Sequence, residues 1–328
     1  MTDAARRTAW IDIARGIGIL LVVYAHAARG LVLGHDLPDR GWPIMVDTVI
    51  YAFHMPLFFV LAGLHLERSV ARGRKGFIVN KLQTIAWPYF LWSLIQGGIK
   101  LAAAPYTNRP IAVSDLIGIP VAPIEQFWFL YVLFLCQLVI ALVLPRRWLL
   151  LGLTLAGMLA WTMLADTSIF FRTLHYLPYV VIGLLALPAL TWLGGRPARQ
   201  WAVLAAALIA FAFLIQPLEA PAKAAFIIYG LALLGSAGTI AASMVLGASP
   251  VPTGWLETLG RLSLPIFLMH TIFSAAVRVA LKIAGLSDPA LMLALVTVAG
   301  IILSVLAYRI AGALNLTRIL GFGPPFAR

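Results

Sequence analysis

Apolar residues in this chain gather in long runs instead of alternating with polar ones. Ten such runs stand at roughly 10–30, 47–66, 82–103, 126–144, 148–165, 174–193, 200–216, 222–246, 262–281 and 290–310. Each reaches the ~17–25 residues a helix needs to cross hydrocarbon. A membrane barrel would show short alternating segments instead, and none is seen. The pattern predicts an all-α, polytopic membrane helix bundle of about ten transmembrane helices. The loops between runs are short, so residues 1–328 read as a single integral membrane domain with no appended soluble domain.

Composition agrees. Hydrophobic residues make up 62% of the 328 and charged residues 11%, against about 25% charged in a soluble domain. A net charge of +12 raises the question of nucleic acid, but the basic residues are scattered in clusters between runs, a topology signal. With the N-terminus inside, Arg6, Arg7, Arg68, Arg72, Arg74, Lys75, Lys81, Arg146, Arg147, Arg196, Arg199, Arg261, Arg309, Arg318 and Arg328 fall inside. Only Arg29, Arg40, Lys100, Arg109, Arg172, Lys223, Arg278 and Lys282 fall outside, and Arg15 lies in the membrane. The bias predicts N-in and C-in. Arg6/Arg7, the apolar stretch from Ile17 to Tyr24 and Ala25-His26-Ala27 also fit a cleaved signal peptide; the first run is read as an uncleaved helix.

Charge within a span costs at least ~2.5–3.5 kcal/mol on insertion scales and so marks candidates for function. The first run holds Asp12, Arg15 and His26. Arg15 and His26 are eleven positions apart, three helical turns plus about 20°, so they share a face about 16 Å apart along the axis. Asp12 lies one turn before Arg15 and can pair with it. Two readings fit: the wall of a polar cavity, or an interfacial ion pair with His26 anchoring the outer interface. In the second run, Pro56 follows His54 and is expected to bend the helix there. His54 then either lines the same cavity or makes an interhelical hydrogen bond. His65 and Glu67 fall at the inner end of that run.

The basic stretch Arg68, Arg72, Arg74, Lys75 and Lys81 is explained by topology alone, or by guanidinium groups that hold phosphates. Glu125 and Trp128 open the fourth run, and His270 lies within a proline-bearing helix that begins at Ser263. No P-loop and no His-x-x-x-His pair is present, and no nucleophile elbow of the Gly-x-Ser-x-Gly kind. The single Cys136 excludes an internal disulfide and reads as a small apolar residue. No metal site is expected.

These stretches together resemble the membrane acyltransferase-3 family. Ile11-Asp12-Ile13-Ala14-Arg15-Gly16-Ile17 with His26 is similar to its first helix. Phe53-His54-Met55-Pro56-Leu57-Phe58-Phe59-Val60-Leu61-Ala62-Gly63 resembles its second helix, especially in the branch that acetylates fucose and other exopolysaccharide sugars. Trp128-Phe129-Leu130 and Ser263 through His270 look like later landmarks. The resemblance implies a ten-helix protein of the bacterial inner membrane that moves an acyl group, usually acetyl from acetyl-CoA, onto a sugar hydroxyl. It implies His26 as catalytic base and Arg15 as orienting the donor. Arg15, Arg68, Arg72, Arg74 and Lys75 become candidates for the coenzyme phosphates, and His54, Glu125, Trp128 and His270 for the sugar. The expected partners are a carbohydrate or glycolipid acceptor and membrane lipids, with no nucleic acid and no metal cofactor. A histidine with a pKa near 6.5 suits removal of a hydroxyl proton. The alternative is a membrane transporter of a small anion or lipid-linked sugar, since buried Arg and His on proline-broken helices occur there too.

Overall fold

A computed structural model describes residues 3–144, 146–163, 168–215 and 224–323. Lys223 and Arg328 of the charge pattern, and the expected span ends at 165, 216 and 222, lie outside the described residues.

The helices in chain order are α1 (Asp3–Leu33), α2 (Trp42–Tyr51), α3 (His54–Gly63), α4 (Leu66–Ala71), α5 (Arg74–Lys81), α6 (Trp87–Ala102, entered through a π turn at Leu82–Ala86), α7 (Val113–Gly118), α8 (Trp128–Val143) and α9 (Arg147–Met163). They continue with α10 (Ile169–Leu193), α11 (Pro197–Ile215), α12 (Ala224–Ala248), α13 (Gly254–Arg261), α14 (Ser263–Ile283) and α15 (Pro289–Ala313). Among the described residues there is no strand. Among the described residues, eight stretches are long and apolar enough to cross a membrane. The other two expected runs are helical but shorter: α6, interrupted by its π turn, and α9.

Outward-facing side chains explain why this is an integral membrane protein. On α15, Leu291, Leu295, Val298, Ile302, Leu306 and Ile310 recur every three or four residues and are all exposed. That spacing makes one apolar stripe, which water would penalise and hydrocarbon accepts. Leu208, Ile209 and Phe213 do the same on α11.

The expected bend at Pro56 is placed differently. The second run breaks at Ala52 and Phe53, between α2 and α3, and His54 opens the new helix. Pro56 is therefore in the first turn of α3, where a missing N–H leaves no carbonyl of that helix unpaired. Pro265 holds the same third position in α14. Both prolines start helices and neither kinks one.

Two compact units arise. The first gathers the described residues of Met1–Gly18, Tyr51–Val79 and Val132–Arg261; the second those of Ile19–Ile50, Asn80–Tyr131 and Leu262–Arg328. In the first unit, α3 and α10 touch backbone to backbone: a Cβ on Gly63 would strike the Val180 carbonyl, and one on Gly183 the Val60 carbonyl. Small residues permit such approach where no hydrophobic force drives helices together. Gly157 of α9 lies against the Leu174 carbonyl of α10. That carbonyl is the one Pro178 leaves without its usual i+4 donor. Phe53 fills the space over Gly235 of α12 and meets Phe211 edge-on at 5.8 Å.

In the second unit, Ala27, Ala28 and Leu31 of α1 pack with Leu37 and with Met292, Leu293 and Val296 of α15. Gly300 admits the Ser274 side chain, whose hydroxyl donates to the Val296 carbonyl at 3.2 Å. The indoles of Trp87 and Trp92 donate to the carbonyls of Ile319 and Leu320 at 2.8 and 2.9 Å, tying the segment after α15 to α6.

Replacing Gly183 by Leu forces α10 away from α3 and is expected to cost about 1–3 kcal/mol by overpacking. Thermal unfolding of the detergent-purified chain should show a clear drop for Gly183→Leu. Gly98→Leu, at a helical glycine with open space around it, should leave the midpoint close to wild type.

Candidate functional site

The second unit brings together the histidines of two helices. His26 of α1 and His270 of α14 meet edge to face, ring centroids 5.0 Å apart and planes at 64°. Each ring is held by its own helix. Nδ1 of His26 lies 2.9 Å from the Val22 carbonyl, and Nδ1 of His270 lies 3.0 Å from the Ile266 carbonyl. A carbonyl only accepts, so Nδ1 carries the proton in both rings and donates it. In the neutral ring Nε2 is then a lone pair. His270 is fully buried, and its Nε2 has no partner. His26 is half-buried.

Charged groups surround this pair in the same unit. Arg29, one turn beyond His26 on α1, directs its Nε at both carboxylate oxygens of the buried Asp47 from α2, at 2.9 and 3.2 Å. Glu125 pairs with Lys100 of α6. Glu125 has φ +48°, an uncommon backbone region for a non-glycine residue. It opens the short turn Glu125–Phe127 that leads into α8. Trp128 follows it, half-buried beside Phe129.

Next to His270, Thr271 faces a polar network. Its hydroxyl donates to Gln96 Oε1 at 2.8 Å, while Gln126 Nε2 donates to Gln96 Oε1 at 2.8 Å and to Thr271 Oγ1 at 2.9 Å. Gln96 Nε2 donates back to Gln126 Oε1 at 3.3 Å. This closed ring links α6, the turn before α8, and α14. It fixes the helix that carries His270 through groups whose hydrogen-bonding capacity is mutually satisfied.

The remaining sequence-derived candidates belong to the first unit. His54, 1% exposed, starts α3 with its ring 5.3 Å from that of Tyr51. Arg15 faces Asp12 at 3.8 Å. Arg68, Arg72, Arg74 and Lys75 are exposed along α4, α5 and the turn between them, where Gly73 has φ +135°. Glu67 pairs with Arg147 at 2.7 Å. Cys136 is buried, with its sulfur 3.5 Å from the Thr173 carbonyl.

Sequence reading passed over Arg29, Asp47, Lys100, Gln96, Gln126 and Thr271. Their signal was present as single polar residues inside or at the ends of apolar runs, where each has to find a partner. Among the described residues no group of three His, Cys, Asp or Glu side chains could hold a metal ion.

One buried and one half-buried histidine, each hydrogen-bonded to its own helix, stand together in a polytopic helical membrane protein. The family model described as an acyltransferase domain matches residues 8–309, and the chain belongs to this acyltransferase-3 family. It is also similar to the nodulation protein NolL of Mesorhizobium japonicum, 25% identical over 132 residues. That stretch covers 39% of this chain and 34% of the relative, so the chain matches about a third of that protein's length. No solved structure matches.

If the glutamine–threonine ring acts as a unit, Gln126→Leu strands the buried Gln96 and the half-buried Thr271 and costs about 1–3 kcal/mol. Gln96→Leu should cost about the same, and the double variant clearly less than the sum. Unfolding midpoints of the three variants in one detergent test this.

Proposed function

We propose that this acyltransferase moves an acetyl group from acetyl-CoA to a hydroxyl of a cell-envelope or secreted sugar, in the bacterial inner membrane, with His26 as general base. The observation that carries the reading is the geometry of His26. Its Nδ1–H is committed to Val22, which leaves Nε2 to accept a proton.

In the reaction, Nε2 takes the proton of the acceptor hydroxyl as its oxygen attacks the thioester carbonyl carbon. The carbon–sulfur bond then breaks, and the departing thiolate takes the proton from the imidazolium. Atoms and charge balance without a further reactant. A positioned base of this kind contributes about 10²–10⁴-fold. Arg15 lies eleven residues from His26, about 16 Å along a regular helix, too far to meet charge on the carbonyl oxygen. Arg29, three residues from His26 on the same face, is the better cation for that role. Asp47 holds it in place. Glu125, Trp128 and His270 surround the acceptor. Arg15 and the basic residues Arg68, Arg72, Arg74 and Lys75 hold the phosphates of the donor on the inner side, in keeping with an N-in, C-in chain.

Membranes containing the wild type should release coenzyme A from acetyl-CoA faster when an envelope-glycan extract is added. His26→Ala should abolish that stimulation while the protein still inserts. Stimulated release by both proteins would move the base elsewhere. Arg29→Ala is expected to lower kcat by on the order of 10²-fold, the scale of a lost oxyanion donor, with a smaller change in the KM for acetyl-CoA.

A further inference from the structure

The first unit contains a cluster of charge around Arg15, of which the reading above uses only Arg15 itself. Asp12 of α1 lies between two arginines. Its Oδ1 faces Arg15 Nη1 at 3.8 Å, and its Oδ2 faces Arg261 Nη1 at 3.6 Å. Arg261 ends α13 and also faces Glu257 at 3.7 Å. Charge-assisted hydrogen bonds run near 2.7–2.9 Å, so these longer contacts are mainly electrostatic. A guanidinium N–H of Arg261 reaches Thr258 Oγ1 at 3.3 Å. Both arginine side chains keep substantial exposure, 40% for Arg15 and 39% for Arg261.

What fixes this arrangement is backbone contact. A Cβ on Gly260 would collide with the Asp12 carbonyl, and one on Gly16 with the Leu256 carbonyl. α13 and α1 therefore meet at two glycines, one from each helix. The residue after Gly260 is Arg261, so the main chain sets how far apart the helical positions of the two arginines stand. The charge pattern of the loops predicts Arg261 on the inner side, with Arg15 within the membrane.

Two guanidinium groups facing the two oxygens of one carboxylate form a grip for a tetrahedral oxyanion with the same two-oxygen edge. We propose that Arg261 and Arg15 together bind a phosphate group of the coenzyme A donor, and that Asp12 is the internal anion which holds them apart from each other until the phosphate replaces it. This assignment rests on the reading of the protein as an acetyl-CoA-dependent transferase. It adds a residue, Arg261, and a competitive role for Asp12.

The test compares acetyl-CoA with S-acetylpantetheine, which carries the same thioester and no phosphate, as donors for the full-length protein in detergent. Arg261→Gln should lower the kcat/KM preference for acetyl-CoA over S-acetylpantetheine by on the order of tenfold or more, the scale of a lost charge-assisted bond. The loss should appear in KM for acetyl-CoA, with kcat little changed. Arg261→Lys, which keeps the charge and loses the fork, should fall between. Asp12→Asn should act in the opposite direction and lower the KM for acetyl-CoA. Adenosine 3′,5′-bisphosphate should inhibit the wild type competitively against acetyl-CoA and inhibit Arg261→Gln less. An unchanged donor preference in both Arg261 variants overturns the proposal. Absence of coenzyme A release and of desulpho-coenzyme A binding by the wild type overturns the transferase reading itself, a result distinct from the first.

Discussion

A chain in hydrocarbon has no water to satisfy its polar groups, and most features of this protein follow from that. Helices take care of the backbone. Many hydroxyls are handled by bending back onto the carbonyl four residues earlier in their own helix. Thr154, Thr173, Ser236, Thr239, Ser243, Thr297 and Ser304 all donate in this way. His26 and His270 use the same device with a ring nitrogen. A rule that hides ordinary polar side chains thus also sets which nitrogen of each histidine carries hydrogen. The tautomer of each imidazole is set by the helix it stands on.

Groups too large to fold back on their own helix must find partners across helices, and those partners organise each unit. In the second unit the glutamine pair, Thr271 and the Arg29–Asp47 pair join α1, α2, α6 and α14. In the first, close packing does more of this work. Gly63 and Gly183, Gly157, Gly16 and Gly260 each let a helix approach the carbonyls of another. Where such an approach exists, position is set by main chain, and the side chains beside it inherit that accuracy. Arg261, next to Gly260, gains most.

Much of this could be read from sequence because membrane crossing imposes long, uniform apolar runs. All ten expected runs are helical, and the Asp12–Arg15 contact follows from a spacing of three. Less visible was the point at which the second run divides. Proline suggested a bend at position 56, but the break falls at Ala52 and Phe53, since a proline is best tolerated where a helix begins. Pairings between distant positions were hidden as well. Lys100 with Glu125, Arg29 with Asp47, and Gln96 with Gln126 join residues of different helices, and nothing in local periodicity encodes such a meeting. Arg261 was noted only as a topology charge, because the glycine contact that gives it meaning depends on the fold.

Anchoring Nδ1 of His26 to Val22 has a consequence for bioenergetics. A histidine that ferries protons through a membrane must accept on one nitrogen and release from the other, which requires its tautomer to turn over. Here one nitrogen is tethered, so a proton that arrives at Nε2 has to depart from Nε2. The ring works as a reversible store open on a single side and not as a step in a conducting wire. A histidine held in this way can exchange a proton in an energised membrane without dissipating the gradient across it.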